Sequence, residues 1–140
     1  MDTMQQLEAA VEELIDIYQI SAPPIPIESM LQHPKADMWE EVDLSQLSLS
    51  FVIVNEQYSP RMSLARMLAR HVIHSSWGHA RGLDVVDKDE AALHAFARML
   101  IMPASMVRQL TSASRTAALV GMHFEVPETD AKQRLEELLF

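Results

Sequence analysis

Four of the six histidines in this 140-residue chain lie between residues 71 and 94, in two stretches with helical spacing. The stretches read RHVIHSSWGH at residues 70–79 and DEAALHAFARMLIMP at residues 89–103. On a helix, residues 75 and 79 lie one turn apart on the same face, and residue 76 lies about 100° around from residue 75. That layout suits two metal ligands and a neighbouring general base. The sequence places Ser75, Ser76 and His79 at these positions.

These residue types do not supply the chemistry of the layout. The hydroxyl of Ser75 is a neutral, weak zinc ligand, and Ser76 cannot take a proton from metal-bound water at neutral pH. His79 alone does not hold zinc, because zinc sites use three or four protein donors. We therefore expect zinc and any other cofactor to be absent, and we expect no catalytic residue.

The other histidines offer an alternative polar or metal-binding cluster. On a helix, His71 and His74 lie one turn apart, and they could hold an ion if another segment brought His94 or Glu90 to them. His74 and His79 differ by about 140° around such a helix and cannot converge on one ion. The other interpretation is that these histidines are satisfied by local hydrogen bonds.

The two stretches resemble the ImmA/IrrE family of metallo-endopeptidases. The core of that family reads roughly R-F-x-x-A-H-E-L-G-H, and a later segment, E-A-N-x-F-A-x-x-L-L-M-P, supplies its third zinc ligand. The residues that match these two segments are Arg70, Gly78-His79, Phe96-Ala97 and Leu100 to Pro103. The resemblance implies that the zinc-site positions fall on Ser75, Ser76, His79 and Ala92, so that only His79 keeps a ligand.

Three further segments extend the resemblance over most of the chain. They are YQISAPPIPIE at residues 18–28, LSFVIVN at residues 49–55 with Glu56-x-x-Ser59-Pro60 after it, and ALVGMHFEVPETDAKQRLEEL at residues 118–138. The resemblance implies an α+β fold, with a zincin-like helical core and a small β-sheet. The core would span residues 1–110, and residues 111–140 would form a helix-turn-helix-like helical tail packed on it.

Local patterns predict the individual elements. Residues 36–42 alternate weakly, which predicts an edge strand, and the β-branched run 49–55 predicts a central strand. Apolar residues at helical spacing follow a predicted capping box of Thr3 and Gln6. Further helices are predicted from Pro60 to about residue 80, from a capping box at Asp87 to about residue 102, from 103 to 110, from 115 to 122, and from residue 127 onward.

The composition limits the classes of partner. A net charge of -9 and a pI near 5.0 argue against sequence-independent binding to nucleic acid or to anionic membranes. The chain has no cysteine, no charged-then-apolar leader and no apolar run long enough to span a bilayer. The last predicted helix carries Lys132 and Arg134 among more numerous acidic residues. We expect a cytoplasmic protein for which a nucleic-acid partner is disfavoured.

The resemblance and the lost ligands together predict a pseudoenzyme, a non-catalytic regulatory or protein-interaction module. Relatives with an intact site are thought to cleave or bind transcriptional repressors in stress responses and mobile elements, so a transcriptional regulator is the expected kind of partner. Three alternatives stay open at this point. They are an active metallo-endopeptidase with a relocated metal site, a DNA-binding regulator that acts through the C-terminal helices, and a small-ligand pocket lined by Ser75, Ser76, His79 and Ala92.

Overall fold

The structure, a computed structural model, describes residues 2–46 and 57–140 of the chain. Within these ranges the regular structure is helical. The α-helices are α1 (Thr3–Ile17), α2 (Ile27–Gln32), α3 (Ser59–His74), α4 (Ser76–Ala80), α5 (Glu90–Ile101), α6 (Ala104–Gln109), α7 (Ala117–Phe124) and α8 (Glu128–Glu137). Short 3-10 helices span Leu44–Gln46, Leu83–Val86 and Ser112–Ser114.

The N-cap of α1 is Asp2, one residue before the predicted Thr3, so the predicted capping box of Thr3 and Gln6 is wrong. The Asp2 side chain accepts a hydrogen bond from the Gln5 backbone N–H at 2.8 Å, and the Gln5 side chain accepts one from the Asp2 backbone N–H at 3.0 Å. This reciprocal pair satisfies two N–H groups that the first turn leaves without helical partners. Leu7, Val11 and Leu14 are fully buried, so the predicted apolar face of α1 is confirmed.

The core forms around the packing of α3 against α5. Helix α3 buries Leu68, Val72 and Ile73 in this interface region, and α5 buries Phe96 and a run of aliphatic side chains. Helices α1 and α8 both pack on α5, and α2 packs on α3. Since α5 is covered on several sides, it is apolar around most of its circumference, as a central helix must be.

The prediction of an α+β fold with a small β-sheet is wrong for the part of the chain that the structure describes, where no strand occurs. Residues 36–42, predicted as an edge strand, form a turn and an irregular segment. Asp37 adopts a positive φ of 66°, and the Met38 backbone N–H donates to the Lys35 carbonyl at 3.2 Å. The predicted central strand at 49–55 lies outside the described residues.

Trp39 explains why an alternating pattern does not make residues 36–42 a strand. Its ring is 5 % exposed, and its indole N–H donates to the Met30 carbonyl at 3.1 Å. The Val42 backbone N–H donates to the Leu31 carbonyl at 3.0 Å. The segment is therefore held against the end of α2 by side-chain burial and single hydrogen bonds rather than by a ladder, because packing overrides a weak local preference.

The last two helices pack on each other, and α8 also packs on α5. Glu125 closes α7 in the left-handed conformation, with a φ of 57°, and Pro127 precedes the first residue of α8. The predicted helix from residue 127 onward is confirmed, and Ala131, Leu135 and Leu138 form its buried apolar face. Of the helices in the described ranges, none has the length and apolar character that crossing a membrane requires.

Candidate functional site

The helix predicted from residue 60 to residue 80 is broken at Ser75, so this prediction is wrong. Ser75 is extended, with φ -78° and ψ 161°, and it serves as the C-cap of α3 and the N-cap of α4. Its hydroxyl donates to the Val72 carbonyl at 2.6 Å and accepts from the Gly78 backbone N–H at 3.0 Å. Positions 75 and 79 therefore do not share one face of a continuous helix, and the hydroxyl of Ser75 is used in capping.

Gly78 has a packing role that explains its residue type. A Cβ atom at this position would lie 2.1 Å from the Val72 carbonyl oxygen, far inside van der Waals contact. The close approach of α4 to the last turn of α3 therefore requires a residue without a side chain. The segment Ser75 to Gly78 accordingly works as a device that stops one helix and restarts another.

The restarted helix is fixed from two sides. The Trp77 backbone N–H donates to the Asp37 carbonyl at 2.7 Å, and the Arg81 guanidinium lies 3.8 Å from the Trp77 ring centroid. Arg81 also donates two hydrogen bonds to the Glu13 carboxylate on α1. These hydrogen bonds lower the pKa of Glu13 against the opposing effect of burial, and they raise the pKa of Arg81. Helix α4 is thus tied to both α1 and the segment before Trp39.

Two aspartates that sequence reasoning did not identify pair with two of the histidines. His79 Nδ1 lies 3.3 Å from Asp84 Oδ2, and His74 Nε2 lies in hydrogen-bond contact with Asp87 Oδ1. Gly82 is left-handed, with a φ of 73°, and turns the chain back past α4. A turn centred near this glycine brings residue 84 towards residue 79 and residue 87 towards residue 74, and a glycine close to the predicted end of a helix was the signal that the sequence offered.

The predicted alternative cluster of His71, His74, His94 and Glu90 is divided among separate partners. Glu90 Oε2 lies 3.6 Å from His94 Nε2 and 3.3 Å from a terminal nitrogen of Arg70. His71 donates from Nδ1 to the Met67 carbonyl at 2.8 Å, one turn back on α3. Within the described ranges, no three histidine, cysteine, aspartate or glutamate residues are grouped so that they could hold a metal ion.

Ala92 occupies the first turn of α5. The side chain is buried, at 4 % exposure, and its backbone N–H donates to Asp89 Oδ1 at 3.1 Å. Asp89 is thus the N-cap of α5, and the capping box predicted at Asp87 and Glu90 is wrong. A methyl group at position 92 adds to the packing and offers no donor atom.

An open cleft of about 540 Å³ lies beside the end of α3, and we call it the Arg70 cleft. Its lining residues are Met38, Trp39, Glu40, Arg70, His71, His74, Ser75 and Ser76. It contains two of the four positions implied for the zinc site, but His79 and Ala92 are not among its lining residues. The Arg70 cleft is therefore not the predicted small-ligand pocket lined by all four positions.

A second cleft, of about 660 Å³, lies along α1 and is lined by the carboxylates Glu12, Glu13 and Asp16 together with Arg81. It is larger, but its chemistry is less varied. Glu13 is bound by Arg81, and Glu12 accepts a hydrogen bond from the Ser105 backbone N–H at 3.3 Å. The Arg70 cleft combines an aromatic wall, imidazoles, a guanidinium and a hydroxyl, and it is the better candidate for a binding site.

A DNA-binding regulator that acts through the C-terminal helices would need exposed basic residues, but Arg134 on α8 is fully buried. Its guanidinium donates to both Glu8 carboxylate oxygens at 2.7 Å and 2.8 Å and to the Met102 carbonyl at 2.9 Å. Arg98 on α5 makes a similar two-point contact with Glu137 of α8. Arg134 cannot reach a phosphate unless α8 separates from the core, so it acts as a structural anchor between α8 and α1.

Comparison of the chain with protein-family models, with curated proteins and with solved structures finds no match.

Proposed function

We propose that this protein is a non-catalytic relative of the ImmA/IrrE metallo-endopeptidases that acts in the cytoplasm as a protein-interaction module in transcription regulation. The observation that carries the proposal is the hydrogen bonding of Ser75. The residue at the first-ligand position is a helix cap that bonds to Val72 and Gly78, so it has a structural role in place of a catalytic one. The motif matches of the two helical stretches support the relationship to the family.

The side chains at the remaining positions support the loss of hydrolysis. Ser76 has no basic group to accept a proton from water, and Ala92 has no donor atom. His79 is directed to Asp84, and His74 is directed to Asp87. An imidazole bound to its own carboxylate can be oriented for proton transfer, but here each pair is more than a third exposed, whereas stabilisation of a developing oxyanion depends on a site that excludes water.

The Arg70 cleft supports an interaction role. Its apolar wall consists of Met38 and the small exposed part of Trp39, whose indole N–H is held by the Met30 carbonyl. Arginine and tryptophan are the residue types that contribute most to binding energy in protein interfaces. A partner that inserts a side chain here would meet a rigid wall and several hydrogen-bonding groups.

Photo-crosslinking in the cells that produce the protein tests the proposal. Benzoylphenylalanine replaces Ser76 in the cleft or, as the control, Gln133 on the exposed side of α8. We expect a discrete adduct with one partner protein from position 76 and none of that adduct from position 133. The proposal fails if position 76 gives no protein adduct beyond the pattern at position 133, or if purified protein cleaves a peptide bond and a chelator abolishes the cleavage.

A further inference from the structure

We propose that the Arg70 cleft binds the free C-terminal carboxylate of a partner protein whose last residue is apolar. This inference rests on the proposed interaction role and specifies the chemical group that the cleft recognises. The cleft places a guanidinium, two imidazoles and a hydroxyl beside an aromatic and thioether wall in about 540 Å³. That volume lies within the range of sites that enclose small ligands.

Arg70 supplies the charged group. Its side chain is 44 % exposed and gives one terminal nitrogen to Glu90 at 3.3 Å, while Glu90 itself is 66 % exposed. Solvent-exposed pairs of this kind are weak, so they compete poorly with a well-placed ligand. A guanidinium carries five N–H groups in one plane, and it can hold a second carboxylate through two parallel hydrogen bonds.

The two histidines are each held through one nitrogen. A carbonyl oxygen only accepts hydrogen bonds, so the 2.8 Å contact with Met67 requires a proton on Nδ1 of His71, and Nε2 of the neutral ring is then an acceptor that does not donate to a carboxylate. Asp87 accepts a hydrogen bond from Nε2 of His74, so Nδ1 of the neutral ring is likewise an acceptor. Donation to a carboxylate therefore comes from Arg70 and from the Ser76 hydroxyl, and the imidazoles form part of the polar lining of the cleft.

The apolar wall of the cleft is held by hydrogen bonds of its own residues. Met38 Sδ accepts from the Lys35 backbone N–H at 3.4 Å and from the Tyr18 hydroxyl at 3.6 Å. Trp39 is held by its indole N–H. Glu40, which also lines the cleft, repels an anion and so favours placing the carboxylate at the Arg70 end, with the apolar side chain against the wall.

A C-terminal residue matches this arrangement because its carboxylate and its apolar side chain leave the same Cα atom. The two groups can therefore reach the guanidinium and the wall within one cleft of this size. An internal aspartate or glutamate also carries a carboxylate, but its apolar neighbour belongs to the next residue. The two sources of carboxylate can be distinguished with small probes.

The test is a titration of the full chain with N-acetyl-leucine, in which two-dimensional ¹H–¹⁵N NMR spectra monitor binding. We expect the largest shifts at the backbone N–H groups of Arg70, His71 and Ser76 and at the Trp39 indole N–H. N-acetyl-leucinamide, which has the same shape without the charge, should bind about tenfold more weakly or worse. The side-chain probe N-acetyl-aspartamide should also bind more weakly than N-acetyl-leucine.

Arg70→Gln is the matched variant, and Arg108→Gln, an exposed arginine outside the cleft, is the control. We expect Arg70→Gln to weaken N-acetyl-leucine about tenfold and Arg108→Gln to leave it unchanged. Equal binding of the acid and the amide, or unchanged binding in Arg70→Gln, would overturn the inference, and so would the absence of shifts around the cleft. An N-acetyl-aspartamide affinity equal to that of N-acetyl-leucine would overturn the C-terminal source.

Failure of this inference can be separated from failure of the proposed function. In one outcome, benzoylphenylalanine at position 76 gives the partner adduct, the adduct persists when Arg70 is also changed to glutamine, and N-acetyl-leucine does not bind. The interaction role then stands, and carboxylate recognition is wrong. If no partner adduct forms at Ser76 while N-acetyl-leucine binds, the cleft recognises a carboxylate and the interaction role is wrong.

Discussion

Replacing Arg134 with alanine should strongly destabilise the protein, because this side chain joins the last helix to the first. The guanidinium is 0 % exposed and makes three hydrogen bonds, two to Glu8 and one to the Met102 carbonyl. Removing one partner of a buried ion pair costs about 3–5 kcal/mol. The Glu8 side chain is 28 % exposed, so the carboxylate left behind regains some water, and we expect a loss of about 3 kcal/mol in the free energy of unfolding.

Urea unfolding followed by circular dichroism measures this loss, and Lys132→Ala is the matched control. Lys132 carries the same charge on the same helix but is exposed, so its removal should change the free energy of unfolding by less than about 0.5 kcal/mol. A loss below about 1 kcal/mol for Arg134→Ala, in the range of surface pairs, would refute the burial argument.

A double-mutant cycle isolates the contact between Arg134 and Glu8. Glu8→Gln and Arg134→Met should each destabilise the protein, and the double variant should lose less than the sum of the two, with a coupling of about 2 kcal/mol. Arg134→Met keeps most of the side-chain volume, so the cycle reports the charge contact rather than a cavity. Additivity within about 0.5 kcal/mol would mean that the two side chains do not stabilise each other.

Three further predictions concern the helix break and its ties. Ser75→Ala should lower the free energy of unfolding by about 1–2 kcal/mol through loss of the cap. The control Ser76→Ala, at the exposed neighbouring residue, should change it by less than about 0.5 kcal/mol. Equal effects of the two variants in urea unfolding would contradict the capping role. Gly78→Ala should cost about 2 kcal/mol or more because its Cβ would overlap a carbonyl, and an unchanged thermal midpoint would contradict that packing. The pKa of Glu13 is lowered below its ordinary 4.5 in the folded protein, so its bond to Arg81 stabilises fully above pH 4.5 and is lost as the pH falls through the folded pKa. Glu13→Gln should therefore remove a small loss of stability at acid pH. An identical pH profile of stability in the variant would contradict this prediction.

The helices that bury one face could be predicted from the sequence, although their first residues could not. The spacing of Leu7, Val11 and Leu14 gave α1, because three aligned apolar residues determine which face is buried. Asp2 and Thr3 are both good N-caps with a glutamine three residues later, and sequence alone did not decide between them. The start of α5 was placed at Asp87, which has a glutamate three residues later, whereas the N-cap is Asp89, which has Ala92 at that spacing.

The break at Ser75 could not be predicted from helix periodicity, because Val72, Ile73 and Trp77 keep an apolar pattern across it. The break comes from a local hydrogen bond of the Ser75 hydroxyl to the Gly78 backbone N–H. Serine followed three residues later by glycine is compatible with capping, but the same letters fit an unbroken helix. The resemblance to the family motif also favours one continuous helix.

The pairing of the histidines depends on the path of the chain after Gly82. Asp84 and Asp87 reach His79 and His74 only because the chain reverses there. The edge strand predicted at 36–42 failed for a related reason, since burial of Trp39 against the end of α2 determines that segment. Contacts between segments decide both outcomes, and local sequence carries little information about them.

The zinc content of protein purified without chelator tests the central claim most directly, since that claim is that Ser75, Ser76 and Ala92 leave no metal site around His79. Mass spectrometry of metals should find well below one zinc per chain, and added zinc should leave the thermal midpoint unchanged. One tightly held zinc per chain, lost together with stability when His79 is changed to alanine, would contradict the account.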